Sequence, residues 1–131
     1  MPSSPLPVSV LFAAILALAQ VPITVAVGLR RAHTNIQFLD GNDVRLLRLM
    51  RAHGNFVETV PTALIAMAAA EAAGLPRSLV AAGGAALVIG RALHYSTILS
   101  SGFGLGRAAG MVLTLLSTAA FAGYALVRWI C

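Results

Sequence analysis

The stretch "RLLRLMRAHGNFVETVP", which runs from Arg45 to Pro61, joins a polar segment to a long apolar one. An α-helix turns by about 100° per residue, so Arg51, Asn55 and Glu58, spaced by four and three positions, share one face. The stretch therefore predicts a helix that carries a guanidinium, a carboxamide and a carboxylate from the membrane surface inward. A pair of interfacial charges that only anchors the helix would produce the same pattern.

The composition indicates a membrane protein. Of the 131 residues, 59% are hydrophobic and 10% are charged, and the mean hydropathy is +0.89. Soluble domains typically contain about 25% charged residues. All nine basic side chains are arginines and the net charge is +5, but in so apolar a chain this charge does not indicate a nucleic-acid partner. Genome composition would explain the lack of lysine, and so would a need for guanidinium groups that bind carboxylates with two parallel hydrogen bonds.

Four apolar segments are long enough to cross a hydrocarbon core of about 30 Å, which takes about 20 helical residues. We expect one domain that covers residues 1–131 and contains four transmembrane helices, at about 6–32, 42–73, 77–99 and 106–130. The segment "DGND" carries a turn signal, and Asn42 or Asp40 is the expected N-cap of the second helix. The predicted fold class is an all-α integral membrane protein with a four-helix transmembrane bundle.

The first apolar run, Leu6–Leu29, differs from a signal peptide in length and in its flanks. It has no basic segment before it and is about 24 residues long, whereas the apolar region of a signal peptide has about 7–15. We expect it to be retained as a transmembrane helix. Most arginines near the predicted helix ends lie at one end of the bundle, and cytoplasmic loops are enriched in them. That end is therefore expected in the cytoplasm, and both termini outside.

A second polar group lies in the third helix, where Arg91, His94 and Tyr95 are spaced to share a face. Arg91 lies about two turns inside the predicted membrane surface, and a charged arginine at such a depth costs at least about 2–3 kcal/mol on insertion scales unless it is paired or hydrated. Glu58 is the acidic residue at a similar depth, so we expect an Arg91–Glu58 ion pair. Such a pair would either form part of a functional site or simply bridge the second and third helices. Arg107 opens the fourth helix at the same membrane level.

Cysteine and histidine do not indicate a metal centre. The one cysteine is Cys131, so neither an intramolecular disulfide nor a thiolate cluster can form. His33 and His53 lie near the predicted membrane surface, without a cysteine or an acidic cluster at the spacing of metal ligands. No metal is expected.

The motif "RAHGNFVETVP", residues 51–61, resembles the RAHxNxxE signature of the MAPEG family, the membrane-associated proteins in eicosanoid and glutathione metabolism. It is most similar to the small bacterial branch of that family. Arg91 in helix 3 and Arg107 at the start of helix 4 agree with the same pattern, so the resemblance covers essentially the whole chain. It implies a left-handed four-helix bundle that forms a homotrimer in the bacterial inner membrane. Glutathione would bind between neighbouring subunits near the cytoplasmic surface.

The resemblance also implies roles for individual residues. Arg107 matches the arginine that faces the thiol in catalytic members of the family, and it is the predicted catalytic residue. The residues expected to contact or frame glutathione are Arg51, Asn55, Glu58, Arg91 and His94, with Arg30 or Arg31 as a further carboxylate partner and Tyr95 as a partial substitute for a family tyrosine.

Glutathione fits such a residue set chemically. It carries two carboxylates, one ammonium group and a thiol, and so requires several guanidinium groups and one carboxylate. Its reactive form is the thiolate, and a thiol with a pKa of about 8.5 is more fully ionised at neutral pH when a guanidinium lies beside it. The implied function is a membrane-bound glutathione-dependent transferase or peroxidase. Its second substrate would be a lipophilic electrophile or hydroperoxide that arrives through the lipid bilayer.

Three departures from the family pattern leave other functions open. Gly54, Met111 and Ile98 stand where well-known members have an arginine and two tyrosines. One alternative is a non-catalytic membrane protein of the same fold that binds a lipid or a protein partner. Another is a small four-helix multidrug exporter, but such exporters have a membrane-embedded glutamate in helix 1, and Leu6–Leu29 contains no acid.

Overall fold

The computed structural model describes residues 6–131. Four α-helices follow one another along the chain: α1 (Pro7–Thr34), α2 (Val44–Ala72), α3 (Arg77–Ser100) and α4 (Leu105–Ile130). These bounds lie within two residues of the predicted ones, and over residues 6–131 no strand is present. The predicted all-α, four-helix architecture is confirmed.

The helices α2 and α3 form the middle of the bundle. Each packs against all three of the other helices, whereas α1 and α4 do not touch each other over the described residues. The buried core between them consists of aliphatic and aromatic side chains from all four helices, among them Leu16, Phe56, Leu87 and Phe121. Because α2 packs against both α3 and α4, side chains on its polar face are within reach of residues on those two helices.

The outer surface of the bundle suits lipid. Within the part of the chain that the structure describes, α1, α3 and α4 are each long and apolar enough to cross a membrane. The helix α2 is less apolar because three arginines lie in its first turns. Large aliphatic side chains on the outside are exposed, for instance Leu18 at 73% and Leu116 at 64%. Water would not favour so much apolar surface, whereas hydrocarbon does, as expected for an integral membrane protein.

The cap of α2 is one residue later than the sequence predicted. Asp43 is the N-cap, and its carboxylate accepts a hydrogen bond from the backbone N–H of Leu46 at 2.6 Å. The prediction of Asn42 or Asp40 was wrong because Asn42 adopts a left-handed turn conformation, with φ of 62°. Asp43 has the extended conformation that an N-cap requires.

The helices α3 and α4 cross with their backbones nearly in contact. At the crossing Gly90 faces Gly110, and a Cβ added to either glycine would press on the backbone carbonyl of the other. Gly106 permits a similarly close approach to Thr97. Small residues let helices approach closely in lipid, where packing and hydrogen bonds drive their association. The crossing holds the carbonyl of Gly110 against α3, beside Arg91.

Candidate functional site

A cavity of about 410 Å³ opens at the end of the bundle where α2 begins and α3 ends. Its walls come from the first half of α2, the last turns of α3, the start of α4 and the loop between α1 and α2. Helical spacing brings Arg51, Asn55 and Glu58 of α2 to one wall, because they share a face of the helix. In all, five of the nine predicted site residues line the cavity: Arg51, Asn55, Glu58, His94 and Arg107.

The charged side chains of the cavity are available to a ligand. Arg51, Glu58 and Arg107 are exposed, and their side chains make no hydrogen bond or ion pair with the rest of residues 6–131. Asp40 lines the cavity from the loop between α1 and α2. Two guanidinium groups and two carboxylates therefore lie around one space, which suits a ligand that carries charges of both signs.

The wall formed by α3 combines a histidine with an apolar residue. His94 is 3% exposed, lines the cavity and makes no side-chain hydrogen bond to any other described residue. Its ring nitrogens are therefore free to donate to a ligand or to accept from it. Ile98 lines the same wall, whereas Tyr95 packs against the hydrophobic core and does not line the cavity. The structure thus brings His94, but not Tyr95, to the other predicted site residues.

Arg91 lies behind the cavity wall and does not line it. It is 3% exposed, and its Nη1 donates hydrogen bonds to Asn55 Oδ1 at 2.6 Å and to Thr59 Oγ1 at 3.1 Å. Its Nη2 donates to the carbonyl of Gly110 at 3.1 Å, the group that the glycine crossing holds against α3. Arg91 therefore connects three helices at the base of the site.

The Arg91–Glu58 ion pair predicted from the sequence is wrong. In the described part of the chain Arg91 is bound by neutral oxygens, and the ion pair that forms joins Arg30 to Asp43. Depth in the membrane was the basis of the prediction, but the direction of each side chain decides the contact. Asn55 and Thr59 of α2 contact Arg91, whereas Glu58 is turned to the cavity.

Arg30 holds the cap of α2 and does not line the cavity. It binds Asp43 through two hydrogen bonds, from Nη2 to Oδ2 at 2.6 Å and from Nε to Oδ1 at 3.3 Å. The Arg30 guanidinium, together with the N–H of Leu46, holds the pKa of Asp43 below its usual value because both stabilise the carboxylate. The contact of Arg30 with glutathione stays a prediction. The resemblance implies that glutathione binds at a boundary between subunits.

Arg31 shapes the loop that forms one side of the cavity. Its Nη1 donates to three loop carbonyls, each at 3.1 Å: those of Ile36, Gln37 and Leu39. Leu39 itself lines the cavity. Arg31 therefore acts on the cavity through the loop, and its predicted contact with glutathione also stays a prediction.

Arg48 does not line the cavity but makes a supporting contact beside it that the sequence did not reveal. Its guanidinium donates to the carbonyls of Leu99, Ser100 and Ser101, at 3.3, 2.9 and 3.4 Å. These carbonyls end α3 and have no partner within the helix. Arg48 thereby holds the link to α4, which begins two residues before Arg107. To predict this contact one must know which helix packs beside the start of α2, and no pattern in the sequence indicates it.

The residues of the cavity suit an organic ligand with ionised groups. Among the described residues, no three side chains of histidine, cysteine, aspartate or glutamate come close enough to hold a metal ion. Arg51, Arg107, Glu58 and His94 are the groups available to bind a charged ligand.

Comparison with known proteins gives one family. The sequence model of the MAPEG family matches residues 9–127 of the 131-residue chain. This range includes α2, α3, nearly all of α1 and α4, and every wall of the cavity. A search of curated proteins found no match.

Proposed function

Because the chain belongs to the MAPEG family, we propose that it is a membrane-bound glutathione-dependent transferase or peroxidase that acts on lipophilic electrophiles or hydroperoxides. The observation that carries the proposal is the set of unpaired charges in the cavity, Arg51, Glu58 and Arg107. Glutathione carries the complementary groups: two carboxylates, an ammonium group and a thiol that ionises.

Each charged group of the cavity has a partner on glutathione. Glu58 binds the ammonium group, and Arg51 binds a carboxylate through the planar fork of its guanidinium. His94 supplies a further polar contact from α3. The cavity, at about 410 Å³, lies within the range of about 300–1,000 Å³ that is usual for small-molecule sites.

Arg107 stabilises the thiolate of glutathione. It lies in the first turn of α4, where unpaired backbone N–H groups add positive potential to that of the guanidinium. Both favour the ionised sulfur, which attacks a carbon of the electrophile to form a carbon–sulfur bond while the leaving group departs. With a hydroperoxide, the sulfur attacks the terminal oxygen, the alcohol leaves, and a second glutathione converts the sulfenic acid to the disulfide and water.

The second substrate reaches the sulfur along apolar residues. Leu47, Met50 and Ile98 line the cavity beside its charged groups. A lipophilic molecule dissolved in the bilayer can therefore contact hydrocarbon side chains while the polar thiol remains bound to charged ones. This division accounts for a preference for lipophilic electrophiles.

Replacing Arg107 with alanine tests the proposal. We expect kcat for the conjugation of glutathione to chlorodinitrobenzene to fall by about a hundredfold or more, because the developing charge loses its stabilising donor. Glutathione affinity should change much less. The matched control is Arg128→Ala, the same change at the other end of α4, which should leave activity unaltered. Undiminished activity of the Arg107→Ala protein would show that Arg107 does not stabilise the thiolate.

A second candidate is a non-catalytic membrane protein that binds a lipid or a protein partner. Its support is that no tyrosine lines the cavity, and that Ile98, which lines it, and Met111 stand where well-known members of the family have tyrosines. Titration calorimetry in detergent separates the candidates. A folded protein that binds neither glutathione nor another low-molecular-weight thiol supports the second candidate.

We propose further that the protein is a homotrimer in a bacterial inner membrane, with the cavity on the cytoplasmic side and both termini outside. The arginines concentrated at the cavity end of the bundle support this orientation, and the trimer is what the family resemblance implies. The single cysteine, Cys131, is exposed and offers a direct test. A membrane-impermeant maleimide should label it in spheroplasts that have not been lysed, and native mass spectrometry should give three chains. If Cys131 is labelled only after lysis, the orientation is the opposite of the one proposed.

A further inference from the structure

Arg91 is a buried cation without a carboxylate beside it. It is 3% exposed, and it donates hydrogen bonds to the amide oxygen of Asn55, the hydroxyl of Thr59, the carbonyl of Gly110 and, at 3.6 Å, the sulfur of Met111. Its Nε is buried and has no partner in residues 6–131. Packing alone does not account for an arginine here, because an apolar side chain of similar volume would fill the space without a buried charge.

The contact with Arg91 decides which way the side-chain amide of Asn55 points. A guanidinium group has five N–H donors and no acceptor, so the Asn55 atom at 2.6 Å from Nη1 must be the carbonyl oxygen. The amide nitrogen therefore lies on the other branch, 3.5 Å from the sulfur of Met111. Asn55 lines the cavity. With its oxygen occupied, it offers a ligand an N–H donor and no acceptor of comparable strength.

We infer that Arg91 is a positioning residue: it orients Asn55 so that the cavity binds a carboxylate or amide oxygen of the thiol substrate there and rejects its ammonium group. The inference rests on the proposed function for the class of ligand. It divides the cavity into a donor subsite at Asn55 and an acceptor subsite at Glu58, about one helical turn further along α2. A ligand with both an amino and a carboxylate group then binds in one orientation.

The contacts with Arg91 and Met111 make Asn55 an effective donor. The charge of Arg91 polarises the amide through its oxygen, which strengthens the N–H groups on the other branch. The sulfur of Met111, which Asn55 contacts at 3.5 Å, is only a weak acceptor. A ligand oxygen therefore replaces it with a net gain in hydrogen bonding.

Asn55→Asp tests the direction of the amide. Aspartate has nearly the same shape, and its carboxylate still accepts from Arg91, but it offers the cavity acceptors only. We expect the melting temperature in detergent to match or exceed that of the wild type, because a charged acceptor now faces the buried guanidinium. Glutathione affinity by titration calorimetry should fall by about tenfold or more. Retention of affinity within about twofold, in a folded variant, would overturn the inference.

A double-mutant cycle tests whether Arg91 acts through Asn55. Arg91→Met removes the donors at similar volume and should raise KM for glutathione by about fivefold to tenfold, with a smaller change in kcat. Arg91→Lys, which keeps a cationic donor, should recover part of the loss. In an Asn55→Ala background, Arg91→Met should weaken binding no further. A purely structural Arg91 would instead lower melting temperature and kcat together and leave KM unchanged.

The outcomes separate this inference from the proposed function. If the wild-type protein binds no thiol, both fall. If it binds glutathione but the Arg91→Met and Asn55→Ala losses are additive, only the positioning role falls. If Arg91→Met does not fold, the affinity of Asn55→Asp decides the question, because that variant keeps the guanidinium paired.

Discussion

The helix α2 carries two glutamates, Glu58 at its middle and Glu71 near its end, and the structure uses them in opposite ways. Glu71, near the end of α2, is 8% exposed and accepts hydrogen bonds from the backbone N–H groups of Val8 at 3.1 Å and Ser9 at 2.8 Å. Both amides belong to the first turn of α1, where the N–H groups have no partner within the helix. Glu58 is exposed, lines the cavity and has no partner among the described residues.

This difference separates charges that hold the bundle together from charges that are available to a ligand. Removal of Glu71 would leave two amides without an acceptor, whereas removal of Glu58 would leave no protein group unpaired. The same division exists among the arginines of α2: Arg48 binds three carbonyls, and Arg51 remains free at the cavity. The predictions below test whether stability and ligand binding separate along this line.

Glu71→Ala should have the largest effect on stability. It removes a charged acceptor from two backbone donors in a buried site, and we expect the free energy of unfolding to fall by about 2–3 kcal/mol. Chemical unfolding in detergent micelles measures it. Glu71→Gln, which keeps one acceptor oxygen, should lose less. Equal stability of Glu71→Ala and wild type would show that the contact with α1 contributes nothing.

Glu58→Gln should change binding and not stability. The loss of the carboxylate should weaken glutathione binding by about tenfold, which corresponds to about 1.4 kcal/mol, with the melting temperature unchanged. A glutathione analogue without the amino group provides the control, because it should bind wild type and variant equally. A weaker affinity of the variant for this analogue too would contradict an ammonium-binding role.

Arg48→Ala should lower stability by about 1 kcal/mol, since the end of α3 loses a cationic cap. It should also reduce kcat modestly, because the link that precedes Arg107 becomes less ordered. Arg45→Ala is the matched control on the same helix, as Arg45 is exposed and its side chain binds no other described residue. Similar effects of the two substitutions would point to a general charge effect.

The smallest effect concerns Asp43, whose pKa is held below its ordinary value of 3.8 by the Arg30 guanidinium and the N–H of Leu46. A carboxyl group whose pKa is lowered in the folded state stabilises the protein at pH values above its ordinary pKa. This contribution is lost as the pH falls through the lowered pKa. The wild type should therefore have a higher melting temperature than Asp43→Asn at pH 7, and this difference should disappear in acid. A gap that persists at low pH would mean that charge is not its source.

Much of the candidate site could be predicted from one stretch of sequence. Arg51, Asn55 and Glu58 line the same cavity because four- and three-residue spacings place side chains on one face of any α-helix. His94 and Arg107 were also predicted, through their resemblance to family positions, and both line the cavity. Tyr95 was predicted with them, but it is half-buried, packs against the hydrophobic core and does not line the cavity.

The contacts of Arg91, Arg48 and Glu71 were mispredicted or missed for one physical reason. The partners of Arg91, Arg48 and Glu71 lie between 19 and 63 residues away in sequence, so no local pattern indicates them. Arg91 was assigned to Glu58 on depth alone, yet the close crossing at Gly90 and Gly110 brings a carbonyl to its guanidinium. How closely α3 and α4 approach at this crossing depends on helix packing, which no local sequence pattern indicates.

The sequence by itself determined the four helices, their apolar surfaces and the residues that share the polar face of α2, because these follow from hydrophobicity and helical period. Only the tertiary structure decided which charges are satisfied and which remain available. Glu71 binds the start of α1, Arg91 orients Asn55, and Glu58 stays free. The reason is geometric: a hydrogen bond requires an approach of about 3 Å in a defined direction, and helix packing sets that approach.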